Sequence, residues 1–416
     1  NTTYTSSNLP LNFNVSLNEN GSVMYSLDRG VNNVSMRWTV NNVSLIGTLF
    51  NSTNGSLVDK VYSFDVYAND TTGNNNYTKF TSFTFENTNI DSCRTLDFAD
   101  TVYTLTQSIT TTGDCMTIGA NNVTLNMNGY NLTGDNNSIN DDGVIINGFN
   151  ETTIRHGSIF GFGSGINSAS SWNSTFYNLT IVARGNFGIS TTIEGIIISG
   201  GGLYNITKNI ITNSSNTGTN RNYDAISIAN ANNNTIYDNT IYNISSGRLT
   251  QGIYLSASEN NSVIGNTIKV ASGGGTSGAI AFSLSSVQSS IFKHNDVSEI
   301  SSCSAQGVCP SLYLIGSSNN SFNNMTLNTN PDTGIQVSTG SNNQFSNSTI
   351  NGTTYSAIEI LDRDNNFTNM TIRTTSGYDI SIAGNGTRLT DMPHMGNYTI
   401  NTNGALVIIE SSGKGE

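Results

Sequence analysis

The stretch Asn233-Asn234-Thr235-Ile236-Tyr237-Asp238-Asn239-Thr240-Ile241 decides the fold, because the chain repeats its pattern about ten times. In each copy an Asn cluster precedes an apolar residue, and a second apolar residue follows five positions later. The copies recur at intervals of roughly 22 to 30 residues. Repeats of this length are typical of solenoids, in which one supersecondary unit stacks on the next. The apolar pairs are Leu125/Tyr130, Ile154/Ile159, Phe176/Ile181, Ile206/Ile211, Ile236/Ile241, Val263/Ile268, Phe292/Val297, Phe322/Leu327, Phe345/Ile350 and Phe367/Ile372.

A second pattern alternates with the first and places two apolar residues two positions apart. Spacing of this kind is typical of a β-strand with one buried face. Asn, Gly, Ser and Thr interrupt the apolar runs every 5 to 8 residues, which would break an α-helix. Parallel strands stacked coil on coil are therefore predicted, with Asn in the tight turns and Asn side chains hydrogen-bonded between coils. The second pattern comprises Val144/Ile146, Ile166, Ile196/Ile198, Ile226/Ile228, Ile253/Leu255, Ile280/Phe282, Leu312/Leu314, Ile335/Val337, Ile358/Ile360 and Ile380/Ile382.

Residues 1–90 lack the repeat and form a separate predicted domain. Short alternating stretches such as Phe13-Asn14-Val15-Ser16-Leu17 and Val23-Met24-Tyr25-Ser26-Leu27 are separated by turn residues. Short strands at such intervals indicate an antiparallel β-sandwich. The stretch Tyr25-Ser26-Leu27-Asp28, followed later by the stretch from Val66 to Asn74, resembles the Ig-like domains of archaeal cell-surface proteins.

Composition excludes several classes of function. Only 11% of the 416 residues are charged, and the net charge is −12. A nucleic-acid-binding surface would need a basic patch, which the scattered Lys and Arg residues do not supply. No apolar run reaches the length of a membrane span. Since the chain starts at Asn1 without a leader, we interpret it as a processed segment.

The four cysteines predict two disulfides. Cys93 and Cys115 bracket the start of the repeats, whereas Cys303 and Cys309 enclose a short loop. Neither pair has the CxxC spacing of a zinc site. Disulfides persist outside the cytosol, so the pairing favours an extracellular protein.

The entry to the repeats resembles a known family. Cys93-Arg94-Thr95-Leu96, Tyr103-Thr104-Leu105-Thr106 and Cys115-Met116-Thr117-Ile118 lead into Asn121-Asn122-Val123-Thr124-Leu125. This opening is similar to that of right-handed parallel β-helix proteins of the pectin-lyase-like superfamily, especially the NosD-type repeats of archaeal surface proteins. The resemblance implies an all-β chain: an Ig-like β-sandwich over residues 1–90, then a right-handed parallel β-helix of about ten rungs with an N-terminal cap over residues 91–416. The fold hosts lyases, hydrolases, adhesins and structural proteins alike, so it implies no single function.

The chain contains about 28 Asn-x-Ser/Thr sequons, which predict N-linked glycans on several exposed Asn residues. The repeat itself places Thr after Asn-x, so part of this number reflects the fold rather than glycosylation. The candidate sites are Asn14, Asn33, Asn42, Asn76, Asn122, Asn178, Asn205, Asn233, Asn260, Asn324, Asn366 and Asn397.

No catalytic set is predicted from the acidic residues. The paired Asp residues, Gly-His-Gly and Arg-Ile-Lys motifs of β-helix hydrolases do not occur together, and Asp141-Asp142 has no matching Asp on neighbouring coils. Asp362-Arg363-Asp364 is expected to pair internally in a turn. Neither a cofactor nor a bound metal is assigned, although the acidic turns leave a structural Ca²⁺ open. Further acidic candidates are Asp224, Asp296, Asp332 and Asp379.

The leading hypothesis is a non-enzymatic extracellular structural glycoprotein that assembles into a filament, appendage or surface layer. Copies of the chain would join head to tail by strand addition, for example through Leu406, Val407, Ile408 and Ile409. One alternative is an adhesin that binds glycans, or other cell-surface proteins, through exposed aromatic residues. The other is a polysaccharide lyase or hydrolase. The aromatic candidates, which could equally form cross-coil ladders, are Tyr237, Tyr242, Tyr254 and Tyr313.

Overall fold

The computed structural model divides the chain into two compact units, Asn1–Ile90 and Asp91–Glu416. It describes residues 2–18, 20–39, 48–136, 140–185, 192–216, 222–270, 278–300, 310–329, 333–353, 355–374, 378–392, 398–400 and 407–410.

The first unit consists of two sheets that enclose one core. In the five-stranded sheet the first, eighth, seventh, third and fourth strands of the chain lie side by side, and in the three-stranded sheet the second, sixth and fifth strands do. All pairings are antiparallel except that of the first strand with the eighth. Phe13, Tyr25, Phe50, Val66 and Phe85 are among the buried residues of the core. Its Ig-like character stays a prediction. The strands are Thr2–Thr5 (β1), Leu11–Leu17 (β2), Gly21–Ser26 (β3), Val34–Ser35 (β4), Arg37–Thr39 (β5), Thr48–Asn54 (β6), Lys60–Asp70 (β7) and Asn75–Glu86 (β8), with a 3-10 turn at Ser6–Asn8.

The second unit is a parallel β-helix, as the repeats predicted. One face, named sheet 1, contains thirteen strands among the described residues, paired in parallel from coil to coil. Ten of these strands carry the second sequence pattern, and the other three flank them at the two ends. The strands are Arg94–Leu96, Met116–Ile118, Asp142–Asn147, Ser164–Trp172, Ile193–Gly202, Tyr223–Ala229, Thr250–Ser256, Ala279–Ser285, Pro310–Ile315, Thr333–Val337, Ser356–Ile360, Tyr378–Ile382 and Tyr398–Ile400.

The first sequence pattern, which begins with an Asn cluster, forms two more faces of parallel strands, named sheet 2 and sheet 3. Two longer strands contribute to both sheets, namely Thr153–Phe160 and Thr175–Val182. Sheet 2 also has Val102–Leu105, Thr124–Asn126, Asn205–Thr207, Thr235–Tyr237, Ser262–Ile264, Ile291–Lys293, Ser321–Asn323, Gln344–Ser346, Asn366–Thr368, Thr387–Thr390 and Val407–Glu410. Sheet 3 also has Ile109–Thr110, Asn131–Thr133, Ile210–Thr212, Thr240–Ser246, Thr267–Val270, Asp296–Ile300, Thr326–Thr329, Thr349–Thr353 and Thr371–Thr374. The short strands Arg184–Gly185 and Ser215–Asn216 also belong to this unit, whereas the short strand Asn89–Ile90 ends the first unit.

The core of the β-helix is built from the predicted apolar residues, which are almost fully buried. Two predicted pairs were wrong. Phe282 and Leu284, and not Ile280 and Phe282, form the core pair of their coil, because Phe282 lies opposite Ile253 in the ladder. Leu132, and not Tyr130, occupies the second position of its coil, because Leu132 lies opposite Ile159 in the ladder. The turn before it contains Asn128 and Gly129, both with positive φ, and this longer turn delays the strand.

The predicted Asn ladders are confirmed. The Nδ2 atoms of Asn209, Asn239 and Asn266 each donate to the Oδ1 atom of the ladder Asn one coil further on, at 3.0 Å. The Asn266 Oδ1 atom also accepts the backbone N–H of Asn239 at 3.0 Å. The ladder therefore satisfies turn backbone groups that burial removes from water.

The two ends of the β-helix contain a predicted disulfide and the segment predicted to join copies of the chain. The disulfide predicted between Cys93 and Cys115 is present and joins the first coil to the second. Cys303 and Cys309 lie outside the described residues. At the other end Val407–Glu410 pairs in parallel with Thr387–Thr390, so this segment serves as a coil of its own chain. Within the described part of the chain there is no helix long and apolar enough to cross a membrane.

Candidate active site

A column of polar residues crosses five consecutive coils at the start of the sheet 1 strands. Asp142 pairs with Ser164, Ser164 with Glu194, Glu194 with Asp224, and Asp224 with Gln251. These five residues are named the polar column. Since neighbouring strands lie about 4.8 Å apart, each member lies directly beside the next.

A small residue after each column member allows this arrangement. Glu194 precedes Gly195, where an added Cβ would lie 2.5 Å from the Ala225 carbonyl oxygen and 3.0 Å from Ile211 Cγ2. The Gly or Ala position therefore packs against sheet 3, and the aliphatic residue after it enters the core. This local pattern recurs as Asp142-Gly143-Val144, Ser164-Gly165-Ile166, Glu194-Gly195-Ile196, Asp224-Ala225-Ile226 and Gln251-Gly252-Ile253.

The Asp142 carboxylate lies on the outer face of sheet 1. Its Oδ2 atom accepts a hydrogen bond from Asn167 Nδ2 at 2.8 Å. Asn167 stands between Ile166 and Ser168, both fully buried, so its own side chain points outward and is half-buried. The side chains of sheet 1 that point away from the core, such as Asn167, form a row across the coils, named the outward row. The polar column lies beside this row.

Burial changes the acidity of all three carboxyl groups in the column. Burial and, to a smaller extent, the Asp142 charge together raise the pKa of Glu194 to about 7. Burial also raises the pKa of Asp142, although hydrogen bonds from Asn167 and Ser164 oppose this shift. For Asp224, burial and then the Glu194 charge raise the pKa well above its usual range. Asp142 is thus the group whose ionised form has hydrogen-bond support.

One oxygen of Asp224 has unmet hydrogen-bonding capacity. The residue is 5% exposed, and its Oδ1 atom has no hydrogen-bond partner in the described structure. A buried polar atom of this kind costs roughly 1–3 kcal/mol unless a proton, water or ligand group satisfies it. Its place beside Glu194 in the ladder makes it part of the same site.

The outward row beside the column carries two tyrosines. Tyr254 and Tyr313 are half-buried and lie two coils apart, with Ser283 between them. The exposed Tyr237 and Tyr242 belong to sheets 2 and 3 instead. Two of the four predicted aromatic candidates therefore share a face with the carboxyl groups.

Among the described ranges, no three His, Cys, Asp or Glu side chains are placed to hold a metal ion. The structural Ca²⁺ left open by the sequence stays untested.

The remaining acidic candidates lie elsewhere. Asp362 accepts the Gly340 N–H at 2.6 Å. As expected, Arg363 and Asp364 pair within their turn, at 3.9 Å between exposed groups. Asp379 accepts a hydrogen bond from Thr374 at 2.7 Å. Asp296 is exposed at the start of a sheet 3 strand, and Asp332 lies outside the described residues.

Most of the predicted glycosylation sites are accessible. Asn366 is half-buried and its Oδ1 atom is buried, whereas Asn42 and Asn397 lie outside the described residues. The exposed sites are Asn14, Asn33, Asn76, Asn122, Asn178, Asn205, Asn233, Asn260 and Asn324.

Glu194 is the residue that sequence analysis missed. The expectation that no matching Asp stands on the coils beside Asp142 was wrong, because Asp114 on the preceding coil accepts the Asp142 backbone N–H at 2.8 Å through its Oδ1 atom. Glu194, two coils further on, was not considered. The signal was available, because Glu194-Gly195-Ile196 has the same pattern as Asp142-Gly143-Val144 and Asp224-Ala225-Ile226.

The chain is similar to several solved structures. No family model matches the chain, and no curated protein matches it. Solved structures do: the catalytic domain of a GH87 α-1,3-glucanase in complex with nigerose is 13% identical, with a TM-score of 0.46, covering 97% of this chain and 86% of that one. The Yersinia enterocolitica family 28 exopolygalacturonase is 11% identical, with a TM-score of 0.29 and coverages of 89% and 86%. A periplasmic alginate epimerase is 12% identical, with a TM-score of 0.32 and coverages of 74% and 76%.

The expectation that the chain is not an enzyme is corrected here. The solved structures that resemble it are right-handed parallel β-helix proteins, and they include glycoside hydrolases and an epimerase. The expectation rested on a missing set of carboxyl groups. In-register stacking places Asp142, Glu194 and Asp224 in one column although they are far apart in the sequence.

Proposed function

We propose that the β-helix unit hydrolyses glycosidic bonds at the polar column of sheet 1. The observation that carries this proposal is the column itself, in which Asp142, Glu194 and Asp224 stand on one face within four consecutive coils. Glycoside hydrolysis uses two carboxyl groups, one protonated and one ionised. Environments that separate the pKa values of neighbouring carboxyl groups produce such a pair.

Glu194 is proposed as the general acid. With a pKa of about 7 it keeps its proton in mildly acidic solution, where an ordinary Glu would have lost it. It would transfer this proton to the glycosidic oxygen as the bond from that oxygen to the anomeric carbon breaks.

Asp142 is proposed as the general base. The hydrogen bond from Asn167 supports its ionised form. Asp142 and Glu194 are two coils apart, or about 10 Å along the ladder, close to the separation of inverting enzymes, which place a water between the carboxyl groups. Asp142 would accept a proton from this water as the water oxygen bonds to the anomeric carbon. After the products leave, Asp142 releases this proton to solvent and Glu194 takes up one proton from solvent, so both groups return to their starting states.

Tyr254 and Tyr313 are proposed to hold the glycan. Their rings lie in the outward row, and aromatic rings offer apolar faces to the C–H faces of sugars. A glycan running along the row would pass from these tyrosines towards the coils of Asp224 and Glu194.

Release of reducing sugar from a panel of polysaccharides tests the proposal. We expect Glu194→Gln and Asp142→Asn each to lower the rate at least 100-fold, the usual contribution of general acid–base catalysis. Glu259→Gln is the matched control, because Glu259 is exposed and lies outside the strands of sheet 1. Activity should fall as the pH rises through about 7, when Glu194 loses its proton. Absence of release by the wild-type chain from every polysaccharide would overturn the proposal.

We also propose that the protein works outside the cell and carries N-linked glycans. The Cys93–Cys115 disulfide favours an oxidising compartment. Mass spectrometry of source-derived protein should find glycans at exposed sites such as Asn324 and none at the half-buried Asn366.

A further inference from the structure

We infer that the glycan bound at sheet 1 is uncharged rather than a polyuronate, an inference that rests on the proposed function. The observation behind it is a separation of charge between the faces of the β-helix. Of the thirteen described strands of sheet 1, only the first contains a Lys or Arg, namely Arg94. The same sheet contains the carboxyl groups of Asp142, Glu194, Asp224, Glu359 and Asp379.

Cations of the β-helix strands are concentrated on the other two faces. Arg155, Lys293 and Arg388 belong to sheet 2, and Lys269 and Arg373 belong to sheet 3. Recognition of a carboxylate in every sugar unit would need cationic partners along the binding face, since Arg and Lys are the side chains that pair with carboxylates. Sheet 1 offers none beside the polar column, and its carboxyl groups would repel such a chain.

The polar groups of this face suit hydroxyl groups instead. Ser164 and Gln251 complete the column, and Asn167 lies beside Asp142. The buried Asp224 Oδ1 atom lacks a partner and could accept a sugar hydroxyl, an independent sign that a ligand completes the site. Tyr254 and Tyr313 add apolar contact without charge.

A bound cation would be another way for this face to bind an acidic glycan. Ca²⁺ held by carboxylates could bridge to a uronate. The described residues hold no cluster of three such ligands, which favours the uncharged glycan. The experiment therefore includes arms with and without Ca²⁺.

The test measures binding to the full-length chain carrying Glu194→Gln, which blocks turnover. The probes are neutral glucan oligosaccharides of different linkages, polygalacturonate oligomers and alginate oligomers, each in EDTA and in millimolar Ca²⁺. We expect a neutral oligosaccharide to bind at least about 100-fold more tightly than either uronate in low salt. The preference should shrink in about 1 M NaCl, because salt screens the repulsion.

A variant with less negative charge distinguishes electrostatic exclusion of uronates from exclusion by the shape of the site. Asp142→Asn, added to Glu194→Gln, removes the carboxylate whose ionised form has hydrogen-bond support, and it should increase uronate binding about tenfold while neutral binding changes less. Glu259→Gln, an exposed residue outside the strands of sheet 1, should change neither.

The outcomes distinguish this inference from the proposed function. Tighter binding of uronates, with or without Ca²⁺, overturns the inference. If the wild-type chain then also cleaves uronates in a Glu194-dependent way, the proposed function stands. Failure of both neutral and acidic glycans to bind overturns both.

Discussion

At the scale of single residues, Glu194 links the proposed chemistry to stability. Its pKa is about 7 in the folded chain and 4.5 as an ordinary Glu. Below pH 4.5 the group is protonated in both the folded and the unfolded state, so it does not change the stability as the pH varies. Between pH 4.5 and 7 the folded state binds more protons than the unfolded state, so stability falls as the pH rises.

The corresponding prediction concerns Glu194→Gln. Gln cannot ionise, so the variant should be more stable than the wild type at pH 8, by up to about 3 kcal/mol, and nearly equal to it at pH 4. Urea unfolding at both pH values measures the difference. Glu259→Gln removes the same charge from an exposed position and controls for the overall negative charge. Equal effects of the two variants at pH 8 would contradict the burial of the Glu194 charge.

A second residue-scale prediction concerns the Asn ladder. Asn266 is fully buried, accepts the Asn239 N–H, and donates to the Ile236 carbonyl at 2.9 Å. Asn266→Ala leaves both groups without a partner and should lower the free energy of unfolding by about 2–4 kcal/mol. The exposed Asn205→Ala should cost less than about 0.5 kcal/mol. Similar losses for the two variants in urea unfolding would show that the ladder is not stabilising.

At the scale of elements, the later coils of sheet 2 are held by a stack of aromatic rings. Phe292, Phe322, Phe345 and Phe367 follow one another with ring centroids 4.7, 4.6 and 4.5 Å apart. The rings come from strands of only three residues each. Register between such short strands is therefore fixed by side-chain packing as well as by backbone hydrogen bonds.

Phe345→Ala should be one of the most damaging substitutions in the chain. The side chain is 1% exposed and stacks on rings both above and below, so truncation leaves a cavity between two coils. We expect a loss of about 3–5 kcal/mol, measured by urea unfolding with circular dichroism. Phe345→Leu keeps most of the volume and should lose less than half as much. A loss below about 1.5 kcal/mol for the Ala variant would contradict the role of the stack.

At the scale of the whole molecule, the β-helix is a one-dimensional array whose ends need protection. Each coil contacts mainly its neighbours, so an open end exposes core residues and strand edges. The disulfide joins residues 22 positions apart, the length of one coil, and closes the first coil onto the second.

Removal of that disulfide should loosen the first coils. The double variant Cys93→Ser, Cys115→Ser should lose about 3 kcal/mol, by the loop-closure estimate for a loop of this size. Hydrogen exchange should accelerate at Arg94–Leu96 and Met116–Ile118 and remain unchanged at Ser356–Ile360. Unchanged exchange at the first two strands would show that the disulfide has no part in the cap.

Head-to-tail assembly stays a prediction at this scale. Val407–Glu410 pairs with Thr387–Thr390 of its own chain, while Leu406 lies outside the described residues. We still propose that copies associate through this end. Electron microscopy of source-derived protein, with and without residues 405–409, tests the proposal, and polymers that persist after the deletion would contradict it.

The sequence by itself determined the repeating architecture. Strand positions follow from local alternation, turns follow from Asn and Gly chemistry, and both are readable within a few residues. The same locality explains the two errors in the pairs. Nothing near Tyr130 shows that Leu132 will face Ile159, and nothing near Ile280 shows that Phe282 will face Ile253. The disulfide was also predictable, since its cysteines are one coil apart.

Only the tertiary structure decided which carboxyl groups meet. Coils of unequal length separate Asp142, Glu194 and Asp224 in the sequence, so their alignment depends on register across several coils. Their acidity depends on burial, which arises when the coils stack and which no local pattern encodes. The repeat specified the scaffold because its signal is short-range, whereas the candidate site arises from long-range stacking.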